Sequence, residues 1–338
     1  SCHRVLPYAV VIMEYYGSCQ TISRGPPPVP HHARPSHRSV DVRPRQAMLS
    51  TDEVWGLVQD LRVVERRENA LLELSKRREQ LPDLGPVLWY TFGCVVALMQ
   101  EVLQVYPLLA SPSLLTAEAS NRVCNSLALL QCIAAHPETR SLFIKAHIPT
   151  LLYPLLNSSL HSPTSRRDEE EALLDRPFEY LRLTALGVLG AMVKVEEVEV
   201  IDFLVKSDDL LLLCLDIMQT GSELSRSLAV FILHKILHDD KGLAYICATA
   251  HRFYQVSSAL GKMVESLQWK QTDGSSRLLK HVVKCYTRLA ENARAKEGLR
   301  QCLPACLKVL NPQMDPHLSS LPEPMARSVR EDATTKRL

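Results

Sequence analysis

The 338-residue sequence has almost no net charge, because 39 basic residues oppose 37 acidic ones to give +2. Such a balance excludes a global attraction to phosphate, so a nucleic-acid role would require a local basic stripe. Aromatic residues are also scarce, at 6% of the chain. Because proteins usually hold single-stranded nucleic acid by stacking bases on aromatic rings, this scarcity favours a peptide as the ligand of any basic groove.

Catalytic motifs are missing as well. The sequence contains no G-x-S-x-G and no cysteine within a known protease signature. His234 and His238 have the spacing of two zinc ligands, but Lys235 replaces the glutamate of a zinc protease, which favours a solvated helix end. Gly187 and Gly190 lack the preceding strand of a phosphate-binding loop. We therefore expect a protein that is not an enzyme and that uses no cofactor and no metal.

Long apolar runs and closely paired cysteines are absent too. The apolar run near the start, Val5 to Met13, has nine residues, whereas a membrane span needs roughly 20. A signal peptide is the alternative interpretation, since Arg4 precedes the run. The ten cysteines include no C-x-x-C pair, and most lie on apolar helical faces. This usage is typical of a reducing compartment, so we expect a cytosolic or nuclear protein, and we expect no membrane contact.

What the sequence does contain is a series of apolar helical blocks, each interrupted by a short polar turn, from about residue 67 to about residue 310. In the block from Asn121, apolar residues at helical spacing precede the polar HPETR segment, and a second apolar run follows it. Later turns are anchored at Glu197, Asp240 and Ala293, which lie 43 and 53 residues apart. These distances approach the roughly 40 to 47 residues of armadillo and HEAT repeats.

One such unit cannot bury its own apolar face, so neighbouring units must share a continuous core. The pattern therefore predicts an all-α fold, an armadillo-like right-handed α-solenoid of helical repeats with almost no strand. A plain helical bundle of the same composition is the alternative.

The regular pattern does not cover the whole chain. Residues 1–46 are proline-rich without helical periodicity, which indicates a disordered segment or a non-native extension. Residues 47–310 form the predicted repeat domain, with an exposed charged loop insertion at about 158–176, and residues 311–338 form an irregular tail. The first helix is predicted to be capped by Thr51 or Asp52. Its predicted apolar stripe consists of Val54, Leu57, Val58 and Leu61.

Basic residues recur through the later repeats. A solvated polar face is the simpler interpretation, but a subset aligned along one groove would hold an acidic or aromatic peptide, or single-stranded nucleic acid. The residues concerned are Arg182, Arg226, Arg252, Arg277, Lys280, Lys284, Arg288, Arg294 and Arg300.

Several segments together resemble one known family. They include RENALLELSKRRE, LPDLGPVLW, SNRVCNSLALLQCIAAHPETRSLF, RPFEYLRLTALGVLGAMVK, GSELSRSLAVFILHKIL and LLKHVVKCYTRL. From roughly Val54 to Pro304 the chain is similar to the cell-differentiation (Rcd/Caf) armadillo-repeat subunit of the CCR-NOT mRNA deadenylase complex, as a divergent paralogue. The resemblance implies a non-catalytic adaptor that docks on the NOT scaffold subunit and links the deadenylase to repressors, promoting mRNA decay and translational repression.

The resemblance also implies where partners bind. The scaffold-binding positions are Tyr90, Phe92, Val96 and Leu103, where family members usually have His in place of Tyr90 and Ala in place of Val96. Two pockets for tryptophans of silencing factors correspond to Leu212, Ala250, Arg252, Arg294 and Gly298. In these pockets Leu212 replaces a Pro, Ala250 a Tyr and Gly298 an Ala.

A concave groove for short helical peptides of RNA-bound repressors corresponds to Gly187 and Leu228. A second copy of the chain, forming a homodimer, is a further candidate partner. The alternative function is that of a nucleic-acid-binding armadillo protein acting in transcriptional regulation, for which a salt-sensitive affinity for oligonucleotides would be diagnostic.

Overall fold

The computed structural model describes residues 50–110, 114–157, 169–206, 208–267, 273–304 and residue 307, with the side chains of 169–176 and 273–277 left out. These residues are 84% helical and form fifteen α-helices and no strand, which confirms the all-α prediction. The predicted extension at 1–46 and the tail at 311–338 lie outside the described residues, as does most of the predicted charged loop.

The helices are numbered in chain order. They are α1 Thr51–Asp60, α2 Val64–Arg77, α3 Leu84–Tyr90, α4 Cys94–Leu103, α5 Ala117–Ala135, α6 Pro137–Lys145, α7 Tyr153–Leu156, α8 Glu169–Val193, α9 Val198–Leu204, α10 Asp209–Thr220, α11 Glu223–His238, α12 Asp240–Cys247, α13 Ala250–Leu267, α14 Asp273–Leu289 and α15 Ala293–Cys302. Short 3₁₀ helices at Arg78–Gln80, Tyr106–Ala110 and Ile148–Leu152 connect some of them.

The helices from α3 to α14 follow one another as four groups of three. The third helices pack in order, with α5 on α8, α8 on α11, and α11 on α14, while α2 packs on α5 before them. The first helices of the groups also pack in order, α3 on α6, α6 on α9 and α9 on α12. Among the second helices, α7 packs on α10 and α10 on α13. Among the described helices, each group packs on the groups next to it in the chain, which is the arrangement of a solenoid rather than a bundle. Its right-handedness stays a prediction.

The polar turns found in the sequence separate one group of three helices from the next. His136 lies between α5 and α6, and its Nδ1 accepts the amide of Glu138 at 3.2 Å. At the start of α12, Oδ1 of Asp239 accepts the amide of Lys241 at 2.8 Å. At the start of α15, Oδ1 of Asn292 accepts amides at 3.1 Å. Because each cap satisfies amides that a helix start leaves without partners, these residues fix the repeat boundaries.

The first helix begins where predicted, but the predicted cap was wrong. Ser50 caps α1, since its Oγ accepts the amide of Glu53 at 3.2 Å and the Glu53 carboxylate accepts the Ser50 amide at 2.7 Å. This reciprocal capping box satisfies two amides at once, which a cap at Thr51 or Asp52 would not achieve. The predicted stripe is confirmed, because Val58 and Leu61 are buried and its other two members pack against the core.

A buried ionic cluster fixes α4 within the N-terminal half. Glu101 on α4 is 1% exposed and accepts hydrogen bonds from Arg67 at 3.0 Å and from Arg122 at 2.9 Å. Arg67 also donates from Nε to the carbonyl of Leu61 at 2.7 Å. Burial alone would raise the pKa of Glu101, but the hydrogen bonds from Arg122 and Arg67 outweigh it and hold this pKa below its usual value. The cluster thereby joins α2, α4 and α5.

Within the described ranges, no single helix is long and apolar enough to span a membrane. The pair α3 and α4 passes the same test only when joined across its 92° bend.

Candidate functional site

A group of exposed apolar side chains lies at the corner between α3 and α4. Trp55, Tyr90, Phe92 and Val96 are all exposed there, and Phe92 reaches 89% exposure. Trp55 on α1, Pro86 and the two aromatic residues of the corner line an open groove of about 540 Å³. We call Trp55, Pro86, Val87, Tyr90, Phe92 and Val96 the α3–α4 surface.

Gly93 creates this corner. It adopts φ 84°, a left-handed conformation that costs glycine nothing, and it is the N-cap of α4. The hydroxyl of Thr91 donates to the carbonyl of Val87 at 2.6 Å and closes the end of α3. The chain therefore turns by 92° between the two helices and places Phe92 at the outside of the bend.

The four positions that the resemblance assigns to scaffold binding are all exposed. Tyr90 and Phe92 belong to the corner itself, while Val96 and Leu103 lie seven residues apart on α4, which places them on one helix face. The hydrogen bond from Tyr90 to Glu138, at the start of α6, raises the pKa of the tyrosine hydroxyl. The corner is thereby linked to the next repeat. The binding role of these four residues stays a prediction.

Three residues of the α3–α4 surface were not predicted from the sequence, namely Trp55, Pro86 and Val87. One signal for Trp55 was available, because this large aromatic residue lies outside the apolar stripe of α1 and so faces away from the core. Nothing in the local sequence indicated that α1 and α3 would converge on the same groove.

A second concave surface lies between α10 and α13. A cavity of about 440 Å³ is lined by Leu212 and Leu215 from α10, by Tyr254 from α13, and by polar residues at its rim. Leu212 and Tyr254 are 45% and 47% exposed. Tyr254 follows the exposed Ala250 by one helical turn, so an aromatic ring is present although the tyrosine expected at Ala250 is missing.

The other residues assigned to the tryptophan pockets have different surroundings. Arg252 donates from Nε to Asp208 at 2.9 Å, and its guanidinium lies 4.3 Å from the centroid of the Tyr245 ring. Arg294 is exposed on α15. Gly298 packs so closely on Phe253 that an added Cβ would lie 2.6 Å from the ring. Arg252 is thus already engaged within the chain, whereas Arg294 is accessible.

The two residues assigned to the peptide groove are buried. Gly187 lies in the middle of α8, and Leu228 on α11 is 5% exposed. Both are enclosed where the third helices pack on one another, so neither offers accessible surface to a ligand in this structure. On α11, Phe231 and His234 are half-buried and His238 is exposed, so these side chains do offer accessible surface.

The alternative of a basic stripe along one groove is not supported by the arginines whose side chains are described. Arg182 pairs with Glu179 at 2.8 Å, Arg226 donates to the carbonyl of Met218 at 3.1 Å, and Arg288 donates to the carbonyl of Leu237 at 3.0 Å. Arg300 pairs with Glu297 at 2.6 Å. These guanidinium groups donate to backbone carbonyls or pair with carboxylates. They are therefore not available to bind the phosphates of a nucleic acid. Arg277 lies among the residues without described side chains.

His234 and His238 do lie near each other, with ring centroids 6.1 Å apart. In the part of the chain that is described, no group of three or more His, Cys, Asp or Glu side chains is arranged to hold a metal ion.

We expect acidification to destabilise the protein through His234. Burial, followed by the charges of His281 and Lys284, lowers the pKa of His234 to about 3. An unfolded histidine has a pKa of about 6.5, so below that pH the unfolded chain takes up a proton that the folded chain refuses. Stability is then lost as pH falls below 6.5, by up to about 1.4 kcal/mol per pH unit.

The measurement is urea unfolding of the wild type and of His234→Gln at pH 7.5 and pH 5. The wild type should lose about 2 kcal/mol more than the variant between these two values. An equal loss in both proteins would show that His234 does not resist protonation.

The fold and the exposed side chains define a helical-repeat protein with exposed apolar surfaces. The profile of the cell differentiation family, Rcd1-like, matches residues 57–329. The chain is 53% identical over 242 residues to the cell differentiation protein rcd1 of Schizosaccharomyces pombe, covering 72% of this chain and 79% of the relative. It is 48% identical over 260 residues to protein CAF40 of Saccharomyces cerevisiae, covering 77% of this chain and 65% of that protein. The chain belongs to the cell differentiation family, Rcd1-like.

Proposed function

We propose that this protein is a non-catalytic adaptor subunit of the CCR-NOT mRNA deadenylase complex and that it docks on the NOT scaffold through the α3–α4 surface. The observation that carries the proposal is the exposure of Tyr90, Phe92, Val96 and Leu103, which the family resemblance assigns to this contact. Soluble proteins rarely expose a contiguous apolar patch without a partner to cover it. Trp55 and Pro86 extend the same patch and add aromatic and aliphatic area of the kind that anchors interfaces.

The proposed adaptor also binds peptides of repressors and silencing factors, and so promotes mRNA decay and translational repression in the cytoplasm and nucleus. The cavity between α10 and α13 supports an aromatic ligand, because Leu212 and Tyr254 give it apolar walls. Arg294 is accessible for stacking on an indole ring. Short helical peptides would lie along the accessible face of the third helices.

The alternative of a nucleic-acid-binding protein in transcriptional regulation has less support. A phosphate track requires several free basic side chains in sequence along a groove. Arg182, Arg226, Arg252, Arg288 and Arg300 all have intramolecular partners.

We expect Val96→Glu to weaken binding of the full chain to the central helical fragment of the NOT scaffold by at least about tenfold. A carboxylate buried in an apolar contact loses hydration without gaining a partner. The matched control is Val198→Glu, because Val198 on α9 is 55% exposed and Val96 is 61% exposed. Isothermal titration calorimetry should show that the control binds the scaffold fragment with an affinity within about twofold of that of the wild type.

Absence of binding by the unaltered chain would contradict the proposal, and equal affinities of the two glutamate variants would move the contact away from α4. A Tyr90→His, Val96→Ala variant distinguishes two causes of absent binding. If this variant binds and the unaltered chain does not, the two departures from the family pattern have separated the protein from the complex. If neither binds, the adaptor function itself is excluded.

A further inference from the structure

Imidazole rings cluster where α11 packs on α14. The ring centroids of His234 and His281 are 5.8 Å apart, and that of His238 lies 6.1 Å from His234. Phe231 meets His281 edge-on at 5.9 Å and forms an aromatic border. Lys284, one turn beyond His281 on α14, is close enough to affect the charge of His234. We call His234, His238, His281 and Lys284 the α11–α14 cluster.

The nearby acidic groups are already used. Glu196, which precedes α9, pairs with Lys235 at 3.1 Å and lies 3.7 Å from Nδ1 of His238. Asp240 binds Arg288, and Asp239 caps α12. Within the described residues Lys284 makes no ion pair, and the buried Nδ1 of His234 has no hydrogen-bond partner. The groups facing His234 from its own helix, Lys235 and His238, and from α14, His281 and Lys284, are therefore all cationic or imidazole.

We propose that the α11–α14 cluster is a subsite for one carboxylate side chain, Asp or Glu, of a helical peptide that lies along the accessible face of α11 and α14. A carboxylate here accepts a hydrogen bond from the Lys284 ammonium and one from Nε2–H of the His234 imidazole, because Nδ1 of that ring is buried. Phe231 supplies apolar contact beside it. The inference rests on the proposed function in one respect, which is that a peptide is the ligand of the surface formed by the third helices.

The extent of the cluster favours a carboxylate over a nucleic-acid backbone. The cluster spans a single pair of helices, and neighbouring helices are only about 8 to 10 Å apart. A single-stranded nucleic acid needs basic groups over several nucleotides together with aromatic stacking platforms. The arginines on the two helices of the cluster, Arg226 on α11 and Arg288 on α14, are occupied within the chain. A positive site of this small extent matches one acidic side chain.

The test measures fluorescence anisotropy with the full chain and three labelled probes. Two probes are amphipathic helical peptides of 16 residues with a stripe of leucines. They differ at one central position beside the stripe, which is Glu in one peptide and Gln in the other. The third is a 15-nucleotide oligouridylate. We expect the Glu peptide to bind about fivefold more tightly than the Gln peptide. This preference should disappear in His234→Gln, Lys284→Gln and persist in Lys296→Gln, which changes an exposed lysine on α15.

A charge exchange makes the assignment specific. Lys284→Glu should reverse the preference, so that a peptide with Lys in place of Glu binds that variant more tightly than the Glu peptide does. Equal affinities of the Glu and Gln peptides, including no binding of either, overturn the proposal. Tighter binding of oligouridylate that is lost in the double variant also overturns it and assigns the cluster to nucleic acid. Scaffold binding, measured on the same variants, reports the proposed function separately because the α3–α4 surface is unaltered.

Discussion

Replacing Glu101 with alanine should lower the free energy of unfolding by about 3 to 5 kcal/mol. The carboxylate is 1% exposed and neutralises Arg67, whose own side chain is only 7% exposed. Removal of Glu101 leaves the Arg67 guanidinium buried without a counter-charge, which is far more costly than the loss of an exposed pair. Urea unfolding followed by circular dichroism at neutral pH measures the difference.

The matched control is Glu297→Ala. Glu297 pairs with Arg300 at 2.6 Å on α15, and the two side chains are 66% and 69% exposed. Exposed pairs one turn apart contribute little, so this variant should stay within about 0.5 kcal/mol of the wild type. A loss in Glu101→Ala no larger than in the control would mean that the buried cluster is not a structural support of α4.

The buried cluster also has a consequence for the α3–α4 surface. Glu101 lies between Val96 and Leu103 in sequence but points to the opposite, buried side of α4. The ion pairs to α2 and α5 therefore hold the exposed side of α4 in a fixed orientation. Scaffold affinity should fall together with stability in Glu101→Ala, and it should be unchanged in Glu297→Ala.

The helices and their order could be predicted because helical periodicity and caps are local properties. The stripe of α1 is an example, since Val58 and Leu61 recur at helical spacing and are both fully buried. The turn before α12 is another, because Asp239 precedes amides that need an acceptor. The error at Ser50 was also local, since the capping box depends on reading Glu53 together with a residue three positions earlier.

The surfaces could be predicted only in part because they depend on distant segments. Arg252 reads as a free basic residue, but its partner Asp208 lies 44 residues earlier and meets it only after α10 packs on α13. Trp55 joins Tyr90 in one groove through the packing of α1 beside α3, which no spacing in the sequence reveals. The buried positions of Gly187 and Leu228 likewise follow from the contact between α8 and α11.

One departure from the family pattern, Gly298, lies where α15 packs on α13. Gly298 stands where the family usually has alanine, and a Cβ at this position would lie 2.6 Å from the Phe253 ring. Phe253 in turn contacts Tyr254, with ring centroids 5.1 Å apart. The small residue at 298 therefore leaves room for Phe253, whose ring contacts Tyr254 on the wall of the cavity between α10 and α13.

Gly242→Ala should destabilise the protein by about 3 kcal/mol, because α12 leaves no space for a side chain at this position. A Cβ at residue 242 would lie 1.8 Å from the carbonyl oxygen of Ile236 and 2.7 Å from its carbonyl carbon. Both atoms belong to the backbone of α11, so no rotamer change relieves the overlap and the two helices must separate. The measurement is the midpoint of urea unfolding of the variant and the wild type. The free energy of unfolding should depend on urea concentration with the same slope in both proteins.

The same substitution at Gly56 should have the opposite effect on the stability of the protein. Gly56 lies within α1, and an added Cβ there would meet nothing within 4 Å. Alanine restricts the unfolded chain and favours the helix, so Gly56→Ala should stabilise the protein by about 0.5 to 1 kcal/mol. Since both variants add one methyl group to a helical glycine, the difference between them isolates the close approach of α11 and α12. If Gly242→Ala were as stable as the wild type, α11 and α12 could not approach each other as closely as the structure shows.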